Sequence, residues 1–158
     1  MYLNKFILLV GLTIVFSGCN NSLHIVFPEN MQNQINQAVQ KYNYLLFIYI
    51  DVNKCTSCSL DHLTAWQGYK KILDKYNTEI LIVFRDPREN IIIETMKSMN
   101  MSFKCIFDKT GEFKKTNSVF RYMENNVFVM DKHKNVIFTD FPIKNEETWN
   151  RFIKRIKE

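Results

Sequence analysis

Apolar residues in this chain fall into two rhythms. LLFIYI at 45–50 and ILIVF at 80–84 are unbroken apolar runs of strand length. Each is followed by a stretch, 59–76 and 90–99, in which apolar positions recur every three or four residues, the spacing of a helix with one packed stripe. Strand, helix, strand, helix in that order predicts parallel βαβ units with right-handed crossovers. The second half is built differently. Residues 103–107 read as a short strand running into the turn Asp108-Lys109-Thr110-Gly111, and 127–130 with 136–139 flank DKHKN as an antiparallel hairpin. A helix over 31–42 precedes the first strand, and a last helix over 146–157 sets Trp149, Phe152, Ile153 and Ile156 on one face. The pattern predicts one α/β domain with a central mixed sheet flanked by helices, and it holds no repeats or low-complexity tracts.

The start of the chain breaks this rhythm. Lys5 precedes an apolar stretch over 6–16, and Ser17-Gly18-Cys19 follows. The apolar core is too short to span a bilayer stably, and small residues just before a cysteine read as a lipoprotein signal at 1–18 with Cys19 as the acylated residue. An ordinary cleaved secretory signal is the alternative. Residues 19–30 then form a polar, irregular tether with Pro28, and 31–158 form the domain. Either signal sends the chain out of the cytoplasm. The formal charge of +5 is scattered over helix faces such as Lys154, Arg155 and Lys157. Without an Arg/Lys stripe or aromatic-basic interleaving, nucleic acid is not an expected partner. The expected membrane contact is the lipid anchor.

Cys55-Thr56-Ser57-Cys58 stands between the first apolar strand and the helix that follows it. A C-x-x-C at such a junction reads as a redox pair. Helix N–H groups and the positive end of the macrodipole favour a thiolate there, and Lys54 adds a charge, so Cys55 is the nucleophile and Cys58 resolves the mixed disulfide. Thr56 and Ser57 supply hydrogen-bond donors to that thiolate. Asp51, four residues upstream, is an accessory proton acceptor for Cys58 or simply a turn former. Two other readings of the pair stay open. One is a structural disulfide in a noncatalytic binding module; the other is a copper or zinc site made by Cys55, Cys58 and His62, two thiolates and an imidazole on one helix face. Cys105, on an apolar strand, reads first as a small buried hydrophobe and second as another resolving thiol.

The order of elements around CTSC resembles the thioredoxin fold. FKCIFDKTGEF (103–113) and VFVMDKHKNVI (127–137) are similar to the two "strand, Asp, turn, Gly or Asn" segments of extracytoplasmic redoxin-type thioredoxins, and CTSC followed by a helix bearing Trp66 resembles bacterial thioredoxin-like lipoproteins. The resemblance covers most of 44–158. It implies a thiol-disulfide oxidoreductase working through Cys55 and Cys58, with the redox-active disulfide as its only cofactor, exported proteins as clients and a membrane electron donor as a further partner. Asn20 is not the aspartate associated with inner-membrane retention, so analogy places the chain at the outer membrane, facing the periplasm. Three positions depart from the family's pattern. Lys54 replaces the tryptophan that often precedes the first cysteine. Tyr49 stands where thioredoxin has a buried acid, and the sequence offers no carboxylate in its place. Asn125 or Asn126 aligns with the family's cis-proline, and because a non-proline cis bond costs about 2.5–4 kcal/mol the loop is expected to be trans.

Overall fold

The computed structural model describes residues 23–52, 56–117, 120 and 126–157, and of 56–59 the backbone alone. The elements run α1 (Glu29–Lys41), β1 (Tyr44–Asp51), α2 (Thr56–Asp74), β2 (Thr78–Arg85), α3 (Glu89–Ser98), β3 (Lys104–Phe107), α4 (Glu112–Thr116), β4 (Val127–Asp131), β5 (Val136–Phe138) and α5 (Glu146–Arg155). Five strands form one sheet in the order β3-β2-β1-β4-β5. β1, β2 and β3 are parallel, whereas β4 runs antiparallel to β1 and β5 to β4. The sheet is therefore mixed, as the two rhythms of the sequence require.

Both faces of the central strands are covered, which is why their sequences show no polar alternation. Leu45, Phe47 and Tyr49 of β1 join Met31, Ile35 and Ala38 of α1 in one buried layer, with Phe113 and Phe128. Leu46 and Ile48 point the other way, against Leu60, Leu63 and Trp66 of α2 and Phe152 of α5. Fully burying one such side chain contributes about 1.5–3 kcal/mol, so each face of β1 is anchored several times over. Aromatic rings thicken the first layer: Phe47 stacks on Phe128 at 4.7 Å and Phe27 on Phe113 at 5.3 Å.

Phe27 marks a correction. Residues 23–27, expected to belong to an irregular tether, are packed on the domain with Ile25 and Phe27 buried. The Leu23 carbonyl accepts from Val136 N at 2.9 Å, and His24 bridges Asn135 as an added strand fragment on β5. The buried side chain of Asn117 closes the strap: its Oδ1 accepts from Val26 N at 2.8 Å while its Nδ2 donates to the carbonyls of Val26 at 2.7 Å and Phe113 at 2.8 Å. Leu23, Ile25, Val26 and Phe27 form too short a run, with neither strand alternation nor helical spacing, to show this burial. α4 was also missed, because five residues cannot display helical periodicity. It starts at Gly111, whose φ of 72° ends the 108–111 turn in the left-handed region open to glycine. The hairpin turn is as expected: Asp131 Oδ1 accepts from His133 N at 2.8 Å and Asn135 N at 2.9 Å, and Lys134 takes a positive φ of 67°. Among the described residues, no helix is long and apolar enough to cross a membrane.

Candidate functional site

The carboxyl ends of β1, β2 and β3 lie side by side, and α2 and α3 both start there. In open α/β sheets this end is where ligands and reactive groups collect. β1 ends at Asp51, Val52 is buried, and α2 begins at Thr56. The helix thus starts three residues earlier than its apolar stripe suggests, inside the C-x-x-C itself. Thr56, Ser57 and Cys58 lie in its first turn, where N–H groups have no intrahelical partner and the dipole favours an anion. That turn carries no acidic residue to oppose a thiolate. Lys54, Cys55, Asn125 and Cys19 lie outside the described residues, as do the side chains of Thr56, Ser57 and Cys58.

Asp51 occupies the last position of β1. Its Oδ2 pairs with Arg85 Nη1 at 2.9 Å across the adjacent strand end, while Oδ1 is buried and has no hydrogen-bond partner among the described residues. The Arg85 side chain lies against Gly111. A Cβ at Gly111 would come within 2.7 Å of Arg85 Nε, so the glycine leaves the space that the guanidinium fills. Asp51 is therefore a clamped strand-end carboxylate rather than a free turn residue.

Two residues before it lies a second polar pair. Tyr49 Oη donates to Asp108 Oδ2 at 3.0 Å, and both residues are almost wholly enclosed. Burial, and then the negative charge of Asp108, push the Tyr49 hydroxyl well above the ordinary tyrosine range. Asp108 reaches this place because β3 ends at Phe107 and its own N–H bonds the Phe84 carbonyl at 2.8 Å, carrying the ladder one residue past the strand. No carboxylate replaces Tyr49 in sequence, but the fold brings the buried carboxylate of Asp108 against its hydroxyl. The sequence spread the pair over 59 residues and disguised Asp108 as a turn former. The available signal was Tyr49 itself, since a tyrosine in an otherwise apolar buried strand needs a partner for its hydroxyl.

Asn126 lies at the neighbouring end of β4. Its φ is 48°, and its carbonyl accepts from Tyr49 N at 2.9 Å, so it extends the β1–β4 ladder toward the cysteine loop. Among the described residues there is no cis peptide bond. His62 is exposed on α2, and among the described residues no three His, Cys, Asp or Glu side chains gather as a metal site. Cys105 is opposite Ile82, which is opposite Ile48, three residues short of the strand end at Asp51. Its Sγ lies 3.5 Å from both Met96 Sδ and the Phe103 carbonyl, and burial pushes its thiol up to about 11. It sits as a protonated, packed thiol. A surface pocket of about 350 Å³ beside the start of α3 is lined by Arg88 and Lys109, but both cations are already paired, with Asp86 at 2.6 Å and Glu89 at 3.1 Å.

No protein-family model matches the chain, and no curated protein matches its sequence. Solved structures match its shape. The solution structure of a thiol:disulfide interchange protein from Bacteroides sp. superposes with a TM-score of 0.55 at 13% identity over 78% of each chain. The thioredoxin domain of a thiol-disulfide oxidoreductase from Bacteroides vulgatus gives 0.53 at 13% identity, over 78% of this chain and 83% of that one. An uncharacterized thioredoxin-like protein from Porphyromonas gingivalis gives 0.51 at 19% identity, over 73% and 74%. At these identities the likeness is one of architecture, and it agrees with the strand order and helix placement described above: the chain has a thioredoxin-like fold, a central mixed five-stranded sheet flanked by helices.

Proposed function

We propose that this protein is a thiol-disulfide oxidoreductase of the cell envelope, lipid-anchored through Cys19 and acting on exported proteins through Cys55 and Cys58. One observation carries the reading: in a thioredoxin-like fold, the C-x-x-C falls where β1 hands over to the first turn of α2. In the reducing direction, the Cys55 thiolate attacks one sulfur of a client disulfide. The client S–S bond breaks, a mixed disulfide forms, and the second client sulfur leaves as a thiolate that takes a proton. The Cys58 thiolate then attacks Cys55 Sγ, releasing the first client sulfur as a thiol and closing the Cys55–Cys58 disulfide. The client gains two electrons and two protons, and the protein is oxidised by the same amount. A dithiol of a membrane electron donor restores it. Lys54 and the helix start favour the Cys55 thiolate, and Asn126, bonded to Tyr49 N, stands at the end of β4 beside the carboxyl end of β1.

The test uses Cys55→Ser and Cys58→Ser variants with a disulfide-bonded client. Cys55→Ser loses turnover, and Cys58→Ser accumulates a mixed disulfide with the client that dithiothreitol releases. Full exchange by both variants overturns the proposal. Thiol trapping across a glutathione series adds a second criterion. A reversible couple between about −270 and −120 mV fits a working oxidoreductase, whereas one below about −300 mV without exchange marks a structural staple.

A further inference from the structure

The strap over 23–27 restricts how an anchored domain can sit. We propose that the β4–β5 turn together with the exposed face of α1 is the surface this domain lays on a membrane of anionic phospholipid, an inference that rests on the lipidation of Cys19 proposed above. Three residues, Asn20, Asn21 and Ser22, separate that cysteine from Leu23. Four Cα steps reach at most about 14 Å at 3.3–3.6 Å each. From Leu23 onward the chain is no longer a tether. It is bonded to Val136 through its carbonyl, bridged at His24 to Asn135, and clamped at Val26 by the buried Asn117 amide. A domain of this size is about 35 Å across, more than twice the reach of the linker. The linker therefore holds the β5 edge near the lipid and does not let the opposite surface turn toward it.

The chemistry of that side fits anionic headgroups. Lys132 is exposed at the tip of the turn, and Lys134 lies beside it with Nζ 3.0 Å from Asn36 Oδ1 on α1. The one carboxylate of the turn, Asp131, is occupied by the N–H groups of His133 and Asn135 and by Asn135 Nδ2. The adjoining helix is unusual in the chain: between Met31 and Gln40 it carries no charged residue, and Gln32, Asn33, Gln34, Asn36, Gln37 and Gln40 are exposed. A headgroup layer meets amide donors there and no carboxylate, apart from Glu29 at the helix start. Elsewhere the surface shows Asp61, Asp74, Glu94, Glu112, Glu146 and Glu147. The carboxyl end of β1, which leads to the cysteines in sequence, is set apart from this contact. Leu23 is level with Val136, hence with Met130 and Leu45, six residues along β1 from Asp51, or about 20 Å. The redox pair stands off the bilayer and meets clients in the aqueous phase.

The experiment uses the full acylated chain in vesicles of phosphatidylglycerol and phosphatidylcholine containing nitroxide-headgroup lipid, with a genetically encoded fluorophore at His133 or at Asn90 near the start of α3. Quenching is expected to be strong at residue 133 and weak at residue 90, with this contrast reduced in Lys132→Glu/Lys134→Glu and in pure phosphatidylcholine. Equal quenching at the two positions, or stronger quenching at 90, overturns the orientation. Contrast undiminished by the charge reversal overturns the headgroup contact. Mass spectrometry of the same sample separates the two layers of inference: no acyl mass on Cys19 removes the anchor and the orientation with it, whereas an acylated chain with equal quenching removes the orientation alone.

Discussion

Replacing Tyr49 by Phe removes one oxygen from the centre of the molecule and tests the reading of the strand-end polar cluster. The ring keeps its packing against Phe113 and Phe120, at 6.1 and 5.0 Å, so the change isolates the 3.0 Å bond to Asp108. A buried acceptor left without its donor costs about 1–3 kcal/mol. At this chain length that corresponds to a fall in Tm of about 3–10 °C. The pH dependence gives a second and more specific readout. In the folded chain, burial and the Asp108 charge hold the hydroxyl protonated beyond the ordinary value of 10.0. Below pH 10 the folded and unfolded chains both carry that proton, so the contribution is fully present. Above it the unfolded chain ionises first, and stability falls by about 1.4 kcal/mol per pH unit on account of this group. Tyr49→Phe has no such proton. Urea denaturation of the two chains, each with Cys19→Ser, should therefore show a gap at pH 7 that narrows by about 1 kcal/mol between pH 10 and 11. A gap below about 0.5 kcal/mol at pH 7, too small for a buried unpaired acceptor, refutes the burial argument. Parallel curves through pH 10–11 refute the electrostatic one.

Three further perturbations probe the frame around the site. Gly111→Ala places a side chain at a φ of 72° and within 2.7 Å of Arg85 Nε; it should cost about 1–2 kcal/mol and loosen Arg85 from Asp51, read by thermal melting and by the Arg85 Nε resonance. An unchanged melt would show that the guanidinium is not packed there. Asn117→Ala removes the hydrogen bonds that hold the strap to α4. Limited proteolysis should then cut within 23–27 faster than in the parent, and an equal cleavage rate would mean that Ile25 and Phe27 hold the strap unaided. Cys105, with its thiol pushed up to about 11, should react with iodoacetamide at pH 8 roughly a hundredfold more slowly than a free thiol, and Cys105→Ala should leave disulfide exchange intact. Fast alkylation or lost exchange would return it to the reactive set.

Much of the architecture was legible because hydrophobic period and strand burial are local properties. The runs at 45–50 and 80–84 could only be buried on both faces, and the stripe over 59–76 could only be a packed helix. The structure moved these boundaries by one to three residues at each end. Short elements escaped: α4 has five residues, and β3 was read correctly only because a turn signal closed it. The strap escaped for another reason. The run Ile25-Val26-Phe27 is too short to show a period, and the burial of Ile25 and Phe27 depends on surfaces supplied by α4, β1 and β5, distant in sequence.

The candidate site divides along the same line. By itself the sequence determined the C-x-x-C, its junction between strand and helix, and the pairing of roles proposed for Cys55 and Cys58, since these follow from neighbours within a dozen residues. Only the tertiary structure decided that Asp51 is clamped by Arg85, that Asn126 abuts Tyr49, and that Asp108 rather than any residue near Tyr49 in sequence supplies the buried carboxyl group. Each of those contacts joins the ends of different strands. Pairing of strands far apart in sequence, parallel for β1–β2–β3 and antiparallel for β1–β4, brings such ends together through connections tens of residues long, and a local pattern holds no record of which residue returns beside which.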